Sequence, residues 1–252
     1  MTRTALLCMA LISGCGSGNG PGTASSLEYS PIIIIAFRGM EATAGIPWDI
    51  AAGRGRISAA ALIHGDVEPG GYAPLLEEAV ERGMLVALVS DTIPDLSLGD
   101  DDMRIWSDSS GGLHTSPEEL LSQLPGSMAL DSVKYHQLLL DLWDVYKPDL
   151  VMMDMCTQDP SDVMELAGFW TSPEVLSKYR VVIYSLSDDP PRRGWFILAG
   201  SGINGATPYG VTESGFFTTV RLLMGLDWQS DLPRSVPVLS VLEDPGEIWR
   251  DR

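Results

Sequence analysis

A doubly wound α/β domain, with a mostly parallel sheet and helices on both faces, is what this sequence predicts, and three features predict it. Apolar runs of strand length recur at 31–37, 84–89, 150–155, 180–186 and 195–199. These runs lack a polar alternation, which marks strands buried on both faces. Segments of helical length lie between several of them, and strands joined by such segments pair in parallel through crossovers.

The elements follow in chain order. Pro31–Phe37 (PIIIIAF) is a near-continuous β-branched run. Tyr72–Arg82 (YAPLLEEAVER) is an amphipathic helix stopped by Gly83, and it feeds a second strand, Met84–Val89, which ends in Ser90-Asp91. Asp131–Tyr146 places Leu138, Leu142 and Val145 at helical spacing, with Pro148 just beyond. Leu150–Met155 is a third strand, Arg180–Leu186 a fourth ending in Ser187-Asp188-Asp189, and Trp195–Ala199 a short fifth. Ser214–Met224 is a helix stopped by Gly225. Thr92–Ser116 is rich in turn residues and poor in apolar ones, and reads as a long surface loop.

The chain has 252 residues, 45% hydrophobic and 20% charged, which suffices for one sizeable core. A formal net charge of -18 argues against nucleic acid and against docking on anionic headgroups. Three cysteines, Cys8, Cys15 and Cys156, can form neither a disulfide framework nor a multi-cysteine zinc site. Cys156, in an apolar run, reads as a small buried hydrophobe.

The N-terminus reads as an address. Arg3 precedes a short apolar stretch, Ala5 to Ile12, too short to span a bilayer. Ile12-Ser13-Gly14-Cys15 resembles a bacterial lipobox, whose cysteine is lipidated and becomes the mature N-terminus. Residues 1–14 are then a lipoprotein signal, 15–28 a Gly/Ser-rich tether and 29–252 a single domain. The implied location is the cell envelope, exported and held at a membrane through Cys15, each buried acyl methylene contributing about 0.8 kcal/mol. Gly16 after the cysteine favours the outer membrane.

One stretch carries a further resemblance: VVIYSLSDDPPRRGWFILAGSGINGATPYGVTESGFFTTVRLLMGLDWQSDLP. Its strand ending in Ser-Asp, its Gly200-Ser201-Gly202-Ile203 turn and its Leu222-Leu223-Met224-Gly225-Leu226 helix end resemble the alkaline phosphatase superfamily. That superfamily includes nucleotide pyrophosphatases, sulfatases and cofactor-independent phosphoglycerate mutases. Upstream, Ser58–Gly65 (SAAALIHG) looks like its nucleophile helix, and YAPLLEEAVERGMLVALVSD like its next helix and strand. The resemblance covers most of residues 30–240 and rests on patterning.

The resemblance implies two divalent cations held by aspartates and histidines at strand ends, activating a Ser or Thr nucleophile. The first-strand aspartate falls on Arg38, and a guanidinium cannot ligate a metal. The nucleophile falls near Gly55, with Ser58 three residues away as the fallback. The Asp-x-x-x-His motif falls on Asp159 to Val163, and Ser-Asp-His-Gly on Ser187, Asp188 and Asp189. The three histidines, His64, His114 and His136, match no ligand position; His64 reads as ending a helix before Gly65.

The expectation is therefore a non-catalytic, lipid-anchored binding or scaffold protein without a metal cofactor. Arg38 is expected to pair with Asp188 or Asp189, or else to bind an anionic ligand. Asp159, Asp162, Asp188 and Asp189 are relics of the site or the ligands of one hard cation. Two rival expectations are a phosphate or sulfate ester hydrolase using Ser58 and two divalent ions, and an unrelated nucleotide-binding domain. The partner is an unknown protein or an anionic small molecule. Trp48 and Trp106, in polar segments, leave a sugar platform open.

Overall fold

A computed structural model of the chain describes residues 31–38, 58–64, 72–91, 98–99, 101–107, 112–124, 132–156, 159–187, 193–205, 208, 210–226 and 238–242. The described strands are β1 (Ile32–Arg38), β2 (Ser58–His64), β3 (Val86–Ser90), β4 (Met103–Ser107), β5 (Leu113–Ser116), β6 (Leu150–Cys156), β7 (Arg180–Leu186), β8 (Arg193–Ala199) and β9 (Val211–Thr212). The helices are α1 (Ala73–Glu81), α2 (Val133–Tyr146), α3 (Pro160–Trp170), α4 (Pro173–Leu176) and α5 (Glu213–Leu223). The strands form one sheet of nine in the order β5-β4-β3-β6-β1-β7-β8-β2-β9. From β4 through β7 the pairings are all parallel, whereas β8 runs antiparallel to both neighbours and β5 antiparallel to β4. The expected α/β architecture is present.

β1 shows why both parities of its sequence are apolar. Ile33, Ile35 and Phe37 enter one core, with side chains of α2, α3 and α4. Ile32, Ile34 and Ala36 enter the other, with side chains of α1 and α5. Flanked by β6 and β7 and covered on both faces, β1 has no room for a polar side chain before its last residue.

Several expectations are corrected. Ser58–His64 is not a helix but β2, paired over its whole length with β8. Its alanines favour helix, yet pairing and burial of Ala59, Ala60 and Ala61 override that preference. His64 accordingly ends a strand. The supposed loop at 92–116 contains β4 and β5, an edge hairpin in which Trp106 lies opposite His114, ring centroids 5.6 Å apart. Asp102 ties that hairpin down, accepting from the Val86 N–H at 2.8 Å and the Gly99 N–H at 2.6 Å. β8 cannot be parallel to β7, because residues 187–192 are too few for a crossover.

Two buried polar contacts join the layers. The Trp170 indole on α3 donates to Nδ1 of His136 on α2 at 2.8 Å, so this histidine is held as the tautomer with its proton on Nε2. Arg180, at the start of β7, donates to the carbonyls of Ser201 and Leu223, each at 2.9 Å. Burial lowers the Arg180 pKa, while the carbonyl at the end of α5 gives its charge a favourable place.

Trp170→Phe, which removes the donor to His136, is expected to cost about 2 kcal/mol in urea unfolding, with the m-value unchanged. Gly194→Ala is expected to be worse, about 3 kcal/mol or more. A Cβ at Gly194 would stand 1.9 Å from the Ser185 carbonyl oxygen of the paired strand, where only backbone can yield.

Candidate functional site

Parallel strands β3, β6 and β1 lie side by side, so their carboxyl ends open on one rim of the sheet. Open α/β sheets carry their sites at such rims. The register aligns Ser90 with Asp154 and Asp154 with Ala36, and places Arg38 opposite Cys156. Three chain segments remote in sequence therefore deliver Asp91, Asp154 and Arg38 to one place.

The contacts there form a closed set. Arg38 Nε donates to Asp154 Oδ1 at 2.7 Å, and a terminal guanidinium nitrogen of Arg38 donates to Asp91 Oδ1. The Tyr72 hydroxyl, at the N-cap of α1, donates to Asp154 Oδ2 at 2.5 Å. The backbone N–H of Cys156 donates to Asp91 Oδ2 at 2.5 Å. Asp91 N–H continues the β3–β6 ladder to the Asp154 carbonyl at 3.3 Å, and the Ser107 hydroxyl reaches the Asp91 carbonyl at 3.3 Å. All four carboxylate oxygens thus accept a hydrogen bond.

The electrostatics are graded by depth. The Asp154 side chain is 6% exposed, Asp91 21% and Arg38 36%, so the deepest carboxylate depends most on its partners. Burial acts to lower the Arg38 pKa, but the charges of Asp154 and Asp91 outweigh it and the net shift is upward. Burial raises the Tyr72 pKa, and its hydrogen bond to the Asp154 carboxylate raises it further. One guanidinium against two carboxylates leaves an excess of negative charge, which disfavours an anionic ligand on Arg38.

Arg38 is brought to the rim, as the sequence predicts, but its partners are Asp91 and Asp154. Asp188 and Asp189 lie outside the described residues, as do Cys15 and Trp48. Asp159 is the N-cap of α3: its carboxylate accepts from Ser161 N–H at 2.8 Å and Ser161 Oγ at 2.7 Å, which lowers its pKa. Asp162 lies in the first turn of the same helix, a position its charge favours. Ser58 sits at the opposite end of the sheet. It pairs with Ala199, which pairs with Val181, which pairs with Ile33, five residues before Arg38 along β1 and so about 17 Å away along the strand alone. Cys156, expected to be buried, is exposed at the end of β6. Asp154 and Tyr72 escaped sequence reasoning, although a carboxylate inside the run LVMMDMC was a signal.

No protein-family model matches the chain, and no curated protein matches it. Solved structures do. The structure of Ps i-CgsB in complex with k-i-k-neocarrahexaose superposes with a TM-score of 0.51 at 8% identity, covering 83% of this chain and 75% of that one. A second structure of Ps i-CgsB gives 0.46 at 8%, and the PsFucS1 sulfatase from Pseudoalteromonas sp. gives 0.46 at 10%, covering 78% of this chain and 68% of that one. The fold is alkaline-phosphatase-like. At such identity the likeness is one of fold.

The resemblance drawn from the sequence implies two divalent cations at strand ends. Among the described residues no three His, Cys, Asp or Glu side chains stand together to share a metal ion. The two carboxylates at the rim are bridged by a fixed positive charge, with every oxygen already engaged. This donor set does not fit a two-metal centre.

The Tyr72 shift has a testable sign. Its folded pKa lies above the unfolded value of about 10, so its contribution is fully present below pH 10 and is lost as pH rises through the folded pKa. The stability difference between wild type and Tyr72→Phe is expected to be constant from neutral pH to about pH 10 and to shrink above it. A difference that stays flat through pH 12 in urea titrations would show that the phenol is not buried against a carboxylate.

Proposed function

We propose that this chain is a lipid-anchored cell-envelope protein in which an alkaline-phosphatase-like fold serves binding or scaffolding rather than hydrolysis. One observation carries the reading: Arg38 ends the central strand and spans the carboxylates of Asp91 and Asp154. A two-metal hydrolase needs mobile Lewis acids with open coordination positions and a nucleophile beside them. A guanidinium offers neither, since it donates hydrogen bonds and cannot take up an oxygen ligand. The remoteness of Ser58 from this rim supports the same reading.

The anchor is Cys15, with the domain carried outside the cytoplasm on the Gly/Ser-rich tether and the outer membrane as the favoured site. The acidic charge of -18 argues against nucleic acid and leaves a protein or an anionic small molecule as the partner. Were the chain active, its reaction would be hydrolysis of a phosphate or sulfate ester.

Metal content and turnover, measured together on the full chain purified in detergent, test the reading. After dialysis against zinc, manganese and calcium in turn, no stoichiometric metal is expected, and no hydrolysis of aryl sulfates or phosphates above buffer. Stoichiometric metal with turnover that a chelator abolishes would replace the proposal with a hydrolase. Separately, labelled palmitate is expected in the wild type and absent from Cys15→Ser, which would be released into the soluble fraction.

A further inference from the structure

Asp91 and Asp154 are held by contacts that do not involve Arg38. Cys156 N–H fixes one oxygen of Asp91, and the Tyr72 hydroxyl fixes one oxygen of Asp154. The remaining oxygens, Asp91 Oδ1 and Asp154 Oδ1, converge on the guanidinium. Cutting Arg38 back to its Cβ would leave both oxygens aimed at a space that no longer holds a positive charge. With Asp154 nearly buried, such a pair must gain a cation or a proton.

We propose that Asp91 and Asp154 form a cation site whose resident occupant is the Arg38 guanidinium, and that the protein takes a free cation there only when that guanidinium is removed. The inference rests on the non-catalytic reading above. The ligand class follows from the donors. Two converging carboxylate oxygens suit a planar guanidinium first, through two parallel N–H···O bonds, and a hard divalent ion second. The two acceptors that the guanidinium engages are carboxylate oxygens, which favour a hard ion over a soft one.

The probe is methylguanidinium, with uncharged methylurea as its control, added at millimolar concentration to the full-length Arg38→Ala protein. Thermal unfolding of the variant is expected to begin below that of wild type and to rise by roughly 5 °C with methylguanidinium. Methylurea is expected to leave the variant unmoved, and neither compound to shift the wild type. In the double variant Arg38→Ala, Asp91→Asn the response is expected to vanish, because one of the two converging charges is gone. If Arg38→Ala does not fold in buffer, the recovery of native circular dichroism on adding methylguanidinium is the readout, and no recovery overturns the proposal. An equal response from wild type, or from methylurea, also overturns it. Failure of the variant to respond sinks this inference and leaves the non-catalytic reading standing, whereas chelator-sensitive ester hydrolysis by the wild type sinks that reading and this inference with it.

Discussion

The ion pairs of Arg38 with Asp91 and Asp154 join the ends of β1, β3 and β6, three neighbours at the middle of the sheet. Parallel strands have their carboxyl ends on one rim, and side chains leaving those ends are thrown together by the register. Asp154 is the demanding member, because it belongs to a strand whose other residues are almost wholly apolar and buried. Placing a carboxylate there is tolerable only with a charge and donors supplied on the spot. Arg38 supplies the charge, and Tyr72, from the start of α1, supplies the other donor. The position of α1 over the sheet and the composition of the rim are in this way parts of one arrangement.

The same physics explains how the two faces differ from the rim. Each face is covered by helices and can be filled with aliphatic and aromatic side chains, as the two core clusters are. At the rim the described side chains include charged ones, which are matched among themselves. Arg180, at the other end of the sheet, solves a related problem differently. Two of its contacts are to backbone carbonyls, at a turn and at the end of α5. Arg38 meets two carboxylates at the carboxyl-end rim, where open α/β sheets carry their sites.

Much of the fold was legible because it is local. The run PIIIIAF and the spacing of α2 each announce their state without knowledge of the rest. β2 was illegible for the opposite reason: SAAALIH has helix-forming composition, and only its long pairing with β8 makes it a strand. α3 carries a plain N-cap and first-turn signal in Asp159-Pro160, but the same residues match the metal motif of the resemblance, and that match competes with the helix signal. The hairpin β4–β5 buries few side chains, so its strand pattern is weak against a background of turn residues.

The site was half legible, and the missing half is instructive. Arg38 stood out because a charge ends the most apolar strand of the chain. Its partners could not be read, since they lie 53 and 116 positions away in sequence and meet it only through strand order. A parallel sheet scrambles the chain in this way: β6 inserts between β1 and β3, and brings its aspartate beside both. Once that order is known, the substitution at Arg38 has a definite electrostatic sense. A divalent ion would place two positive charges at the rim and keep positions open for a reacting group, whereas the guanidinium places one and turns its donors toward the protein. On the proposed non-catalytic reading, the scaffold keeps a cationic centre and gives up the open coordination position on which hydrolysis would depend.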